Sequence, residues 1–230
     1  FRFDIKKFEK FEKKIIYIQV EDMPDGKNPW VRENFQRNCI ERGLKGASNE
    51  DLIIISDLDE IPNPQAIKDF NHKNRYVALK QNHYYYKLNL QAQINPFWIG
   101  SKICVKKYLK SPQWLRNLKF KKRPFWRIDK WRLNNIIENG GWHFCNLKSP
   151  EELLYKYQNL CETDDPINFK EKIDKKYLNL SEIDNRVKKG LDIIGRDDFF
   201  TRVEVDDTYP KYLLNNINNY FKWIDSYNTS

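Results

Sequence analysis

The chain predicts an α/β fold, with a mostly parallel central sheet flanked by helices and a helical C-terminal part, and three stretches carry that expectation. Lys14 to Val20 (KIIYIQV) is short, apolar and β-branched, the composition of a buried strand. Asn28 then offers an N-cap and Pro29 a first helical residue for a helix over Trp30 to Arg42, which Gly43 stops. Asp51 to Ser56 (DLIIIS) is apolar on both faces, as in a central parallel strand covered by helices. In open sheets of this kind ligands sit beyond the strand C-termini, so attention falls on Ser56 onward.

The remaining elements follow from local signals. Tyr76 to Leu90 is aromatic-rich with alternation in YVALK, and Ser101 to Val105 reads as a further strand. Ser149, Pro150, Glu151 and Glu152 form a capping box that opens a helix to about Leu160, and Ser181 begins another that ends near Gly190. Behind Pro210, the residues Leu213, Ile217, Phe221 and Ile224 fall on one helical face, read as core packing. Residues 1–230 are expected to form a single domain, of which residues 149–230 are the helical portion.

With 230 residues, 40% of them hydrophobic and 15% aromatic, the chain is neither disordered nor too short for a core. No apolar run reaches the roughly 18 residues that span a bilayer. Cys39, Cys104, Cys145 and Cys161 are widely spaced, so neither a metal knuckle nor a disulfide framework is encoded. The first residue is Phe1, and FRFDIKKFEKFEKK has neither signal-peptide nor transit-peptide character, so further sequence is expected upstream.

The net charge of +9 is local. From Lys106 to Arg132, eleven basic residues stand against Asp129, interleaved with Trp114, Phe120, Phe125, Trp126 and Trp131. Pro112 and Pro124 break the stretch into short pieces, so residues 106–132 read as a basic, aromatic surface segment. Such a patch suits an anionic glycan, a phosphate-rich membrane surface or, as a rival reading, nucleic acid.

Chemistry concentrates after the apolar strand. Ser56-Asp57-Leu58-Asp59-Glu60-Ile61-Pro62 sets three carboxylates together, and a divalent cation such as Mn²⁺ or Mg²⁺ offsets their repulsion. An extended backbone would put Asp57 and Asp59 on one side with Leu58 toward the core. Two chemistries use such a pair: a haloacid dehalogenase-type phosphatase, whose motif wants Thr or Val where Ile61 stands, and a metal-dependent transfer from a nucleotide sugar. His143, in Gly140-Gly141-Trp142-His143-Phe144, is a candidate third ligand, whereas His72 and His83 lack such a setting. On the helix, Arg32, Gln36 and Arg37 can present a polar face to phosphate or a nucleobase.

Taken in order, NPWVRENFQRN, DLIIISDLDEIPNP, GGWHF followed by SPEE, and YPKYLLNN make the chain resemble glycosyltransferase family 17, the β-1,4-mannosyl-glycoprotein β-1,4-N-acetylglucosaminyltransferase family. The resemblance implies a GT-A-like (Rossmann-like) fold and inverting transfer of N-acetylglucosamine from UDP-N-acetylglucosamine to a glycan acceptor. It also implies a divalent metal. Carried over by position, Asp57 and Asp59 become the metal and diphosphate residues, His143 a further metal ligand, and Arg32 and Arg37 neighbours of the nucleotide. The chain would then begin after the first nucleotide-binding strand. Inversion requires a base for the acceptor hydroxyl, for which Glu60 and Glu138 are the candidates, while Trp98 and Trp142 offer sugar-stacking faces. Nucleic acid becomes an unlikely partner on this resemblance. The expected location is the cytoplasm or the cytoplasmic face of a membrane for a bacterial or viral chain, and the Golgi lumen for a eukaryotic one.

Overall fold

The computed structural model describes residues 4–25, 28–119, 135–159 and 175–226. Its first regular α-helix, α1 (Pro29–Asn38), starts where Asn28 Oδ1 accepts the Trp30 N–H at 3.0 Å and continues into a 3-10 stretch, Cys39–Leu44. Residues 15–20 are not a strand: Ile16 and Tyr17 are 69% and 51% exposed, and Ile16, Ile18 and Val20 line a cavity against α1. β-Branched composition alone does not make a strand without a partner to complete its hydrogen bonds.

Strands β1 (Leu52–Ile55), β2 (Glu60–Pro62), β3 (Tyr76–Tyr85), β4 (Leu90–Ala92), β5 (Phe97–Trp98), β6 (Lys102–Val105), β7 (Asn135–Cys145) and β8 (Phe200–Arg202) form one sheet. Its main path runs β1-β6-β3-β4-β8, with β7 bridging β3 to β2 and β5 added on β3. The β3–β7 pairing is parallel and every other named pairing is antiparallel.

The chain is therefore α/β, but the expected mostly parallel, Rossmann-like sheet is replaced by a mostly antiparallel one. β1 lies at the end of the main path, antiparallel to β6, rather than in a parallel centre. The misreading has a physical cause. Ile53 and Ile55 pack with Tyr76, Cys104 and Leu115 on one face, while Leu52 and Ile54 pack with Phe70, Val77 and Ile103 on the other. An apolar run on both faces reports burial, which strand direction does not determine.

The short helices seat the sheet. Helix α2 (Pro64–Lys68) is capped by Asn63, and α3 (Pro112–Arg116) by Ser111, whose hydroxyl accepts from Trp114 N. Helix α4 (Pro150–Gln158) opens on the expected capping box, Ser149 accepting from Glu152 N and Glu152 from Ser149 N. Helix α5 (Leu180–Lys188) starts one residue before the expected Ser181, with Asn179 as its cap. The C-terminal portion also contributes β8, so it is not wholly helical. Helix α6 (Lys211–Asn215) and the 3-10 stretch Ile217–Trp223 follow. Leu213, Ile217 and Ile224 join a core cluster with Tyr84 and Trp142, but Phe221 is 64% exposed because the change from α to 3-10 pitch turns it off that face. Of the basic segment, residues 120–132 lie outside the described residues, as does Cys161. Among the described residues no helix is long and apolar enough to cross a membrane.

Candidate functional site

Asp57 and Asp59 sit on a tight turn between β1 and β2, and Glu60 opens β2. Asp57 O accepts the Glu60 N–H at 3.1 Å, and Asp59 O accepts the Phe144 N–H at 2.9 Å. The turn changes what alternation predicts: Leu58 stands 95% exposed at its tip instead of facing the core. Asp57 and Asp59 accordingly go to different partners. Asp57 Oδ2 lies 2.5 Å from Arg116 Nη2 and Asp57 Oδ1 lies 3.4 Å from Arg37 Nη2, whereas Asp59 Oδ1 lies 3.4 Å from His143 Nε2.

The β2–β7 register explains the second contact. Glu60 pairs with His143, Ile61 with Trp142 and Pro62 with Gly141, so Glu60 and His143 share one face of the sheet and Ile61 and Trp142 the other. Gly141 adopts φ +135°, and a Cβ there would stand 2.1 Å from Ile61 O. Bare backbone is what lets the strands close here.

His143 is 6% exposed and packed between rings. It stacks on His83 with centroids 4.8 Å apart and planes 6° from parallel, and Trp98 tilts over it at 5.0 Å. Burial by itself would lower the His143 pKa, but hydrogen bonds to Asp59 and then Cys145 prevail and raise it to about 9. Asp59 responds in kind: burial opposes its ionisation, yet the bond to His143 leaves its carboxyl below the ordinary value. His83 is pushed down to about 4, first by burial and then by the charge of His143. His143 Nδ1 is buried with no hydrogen-bond partner.

Asp59, His143 and Cys145 bring one ligand atom each within 4.8 Å of one another. Cys145 was not singled out from sequence. The signal available was its spacing of two from His143 on a strand, which puts both on one face.

Glu60 is wholly enclosed, its side chain 0% exposed. Its oxygens accept from Trp98 Nε1 at 2.6 Å, from Ser101 Oγ at 2.8 Å, and from Arg116 at 2.6 and 3.1 Å. Gly100 makes room, since a Cβ there would fall 1.9 Å from Glu60 Oε1. Arg116, read from sequence as part of a surface patch, is an internal counter-ion with a side chain only 11% exposed. Lys102, also buried, donates to Ile99 O and Gly100 O at 2.7 Å, and burial followed by repulsion from Arg116 depresses its pKa to about 8.

The other expected site residues are scattered. Arg37 bonds Glu33 and Gln113 as well as Asp57 and so joins the cluster. Gln36 lines the cavity beneath α1, and Arg32 is exposed on α1 without contact to the carboxylates. Trp142 donates its indole N–H to Thr208 O at 3.0 Å on the face away from His143. Glu138 pairs with Lys80 at 2.9 Å, and Lys80 lies over Phe97, again across the sheet from Gln81 and His83.

Two cavities meet at this cluster. One, about 500 Å³, is lined by Ile16, Ile18, Ile40, Leu44 and Gln36; the other, about 880 Å³, by Trp30, Trp98, Lys102, Gln113 and Arg116. Glu33, Arg37 and Asp57 border both. The arrangement is a two-part groove, apolar at one end, with Glu33, Arg37 and Asp57 on the shared border and Lys102 and Arg116 along the larger part.

No curated protein and no solved structure matches the chain. The family model described as Glycosyltransferase family 17 matches residues 1–198, which contain the acidic turn, the helix that presents Arg37 and the strand that carries His143, and the chain thus belongs to glycosyltransferase family 17.

Proposed function

We propose that this glycosyltransferase performs metal-dependent, inverting transfer of N-acetylglucosamine from UDP-N-acetylglucosamine to a glycan acceptor, forming a β linkage. The observation that carries the reading is the meeting of Asp59 with His143, two residues along the turn from an arginine-bordered groove, within a family 17 chain.

The residues fit a divalent cation. A carboxylate, an imidazole and a thiol converge, a mixed set that suits Mn²⁺ better than Mg²⁺, which prefers oxygen alone, and whose thiol also suits Zn²⁺. Asp59 and His143, with Cys145 beside them, would hold it; Asp57 joins only by exchanging its guanidinium partners. When bound, the cation supplies neutralisation of a departing diphosphate.

The chain's own groups account for the rest. Arg37 and Arg116 border the groove but are paired with Glu33, Asp57 and Glu60, so either would reach a phosphate only by exchanging a carboxylate partner. The apolar cavity with Gln36 at its wall receives a nucleobase, and Trp98 at the edge of the larger one offers an aromatic face to the sugar. Glu60, with its oxygens taken and no exposure, holds Arg116, Trp98 and Ser101 in register; we read it as a positioning residue. Glu138, across the sheet, is open to solvent but away from His143. The acceptor's base is assigned to neither.

Titration of UDP-N-acetylglucosamine by calorimetry in Mn²⁺ and in chelator tests the proposal. Binding lost in chelator and in Asp59→Asn is the expected result. Unchanged binding in both, or phosphate release from simple monoesters, would sink it.

A further inference from the structure

Beyond Cys145 the chain leaves β7 and enters α4, and the junction holds a lysine in place. Asn146 takes φ +59° there and is 3% exposed; its Nδ2 donates to the Tyr157 hydroxyl at 3.0 Å and its Oδ1 accepts from Lys156 Nζ at 2.7 Å. We propose that Lys156, carried by α4, is a binding residue for the diphosphate of the donor nucleotide. The proposal rests on the transferase reading and adds the side chain that meets the phosphates.

Three observations carry this. Asn146 directly follows Cys145, which shares a cluster with Asp59 and His143, so the ammonium stands at the edge of the candidate metal site. Its charge reaches the carboxylate: burial opposes the ionisation of Asp59, and Lys156 is, with His143, a cation that favours it. Secondly, Lys156 rests on a neutral amide and lies 5.9 Å from the centroid of the Tyr157 ring, whereas Arg37, Arg116 and Arg196 are each held by a carboxylate. A phosphate oxygen therefore joins Lys156 without parting an ion pair, using the ammonium protons that Asn146 leaves over. Thirdly, the lysine is placed before any ligand arrives. The buried Asn146 amide is occupied on both sides, and α4 is pinned by its capping box and by Leu153 and Tyr157 in the core, so less freedom is lost on binding.

Access and charge fit the same ligand. Lys156 is half-buried and the Asp59 side chain is 38% exposed, so solvent reaches both. An ammonium beside Asp59 repels a metal cation there and attracts a diphosphate, so its removal should act on the two ligands in opposite directions. Damage to the fold would weaken both.

Calorimetry on the full chain, with Mn²⁺ alone and with UDP in Mn²⁺ and in chelator, tests the assignment in the wild type, Lys156→Met and Lys156→Arg. The expected result is UDP affinity in Mn²⁺ about tenfold weaker in Lys156→Met, Mn²⁺ affinity equal to or tighter than that of the wild type, and UDP affinity largely recovered in Lys156→Arg. Should Lys156→Met melt too low to titrate, Lys156→Gln, which keeps a polar head toward Asn146, is measured in its place. UDP bound equally by the wild type and Lys156→Met, UDP and Mn²⁺ affinity falling together, or no recovery in Lys156→Arg would overturn the assignment while the transferase reading stands. UDP binding that survives chelator yet weakens in Lys156→Met keeps the lysine and removes the metal from that reading. A wild-type protein that binds UDP in neither condition overturns both.

Discussion

Arg116 and Glu60 meet in a two-point fork, Nη2 to Oε1 at 2.6 Å and Nη1 to Oε2 at 3.1 Å, with the glutamate side chain fully enclosed. Breaking such a pair leaves a buried charge uncompensated, at a cost of about 3–5 kcal/mol, whereas replacing both charges can be close to neutral. Arg116→Met is therefore expected to lower the urea midpoint strongly, and Arg116→Met with Glu60→Gln to recover much of the loss. A double variant as unstable as the single one would show that the arginine matters for packing instead.

Glycine positions offer a controlled comparison. At Gly141 a methyl group would meet the Ile61 carbonyl at 2.1 Å on a backbone with φ +135°, whereas at Gly46 nothing lies within 4 Å. Gly141→Ala should destabilise by at least about 2 kcal/mol, since both strain and the β2–β7 pairing are at stake, while Gly46→Ala should change stability by less than about 1 kcal/mol. Thermal denaturation of the two variants side by side reads the difference.

How much of this was legible beforehand depends on what kind of signal each residue gives. The Asn28 cap and the Ser149–Glu152 box are local hydrogen bonds between neighbours in sequence, and the structure forms both. Strand direction is not local: β1 pairs with β6 about fifty residues on, and its apolar run looks the same in either orientation. The same limit hid Arg116. In sequence it is one cation in a basic stretch, and only the approach of α3 to the acidic turn makes it the partner of Asp57 and Glu60. Leu58 was misplaced for a related reason, because alternation holds along a strand and fails at a turn.

His83 provides a pH prediction. Its folded pKa of about 4 lies below the ordinary 6.5, so between those values the unfolded chain binds the extra proton. Stability linked to His83 is complete above pH 6.5 and is lost as pH falls through 4, on the order of 3 kcal/mol from the size of the shift. His83→Phe preserves an aromatic ring against His143 and removes the titration. Its urea midpoint should drop less between pH 7 and pH 4.5 than that of the wild type; an equal drop would place the acid sensitivity elsewhere.

For the cation proposed at this turn, the Asp59–His143 pair sets the pH dependence of binding. With the imidazole pKa raised to about 9, the folded protein carries a proton on His143 at neutral pH, and a cation that takes the imidazole must displace it. Mn²⁺ affinity should therefore climb close to tenfold per pH unit between pH 6.5 and 8, with one proton released per ion, measurable by calorimetry in buffers of different ionisation enthalpy. Asp59→Asn removes the carboxylate that sustains the raised value, so the variant should bind Mn²⁺ weakly and with a flatter pH profile. Cys145→Ser separates the two kinds of donor: a site built on oxygen and imidazole keeps its manganese affinity within a few-fold, whereas one that relies on sulfur loses it and loses zinc affinity further still. A pH-independent affinity that survives Asp59→Asn would mean that manganese binds away from this turn.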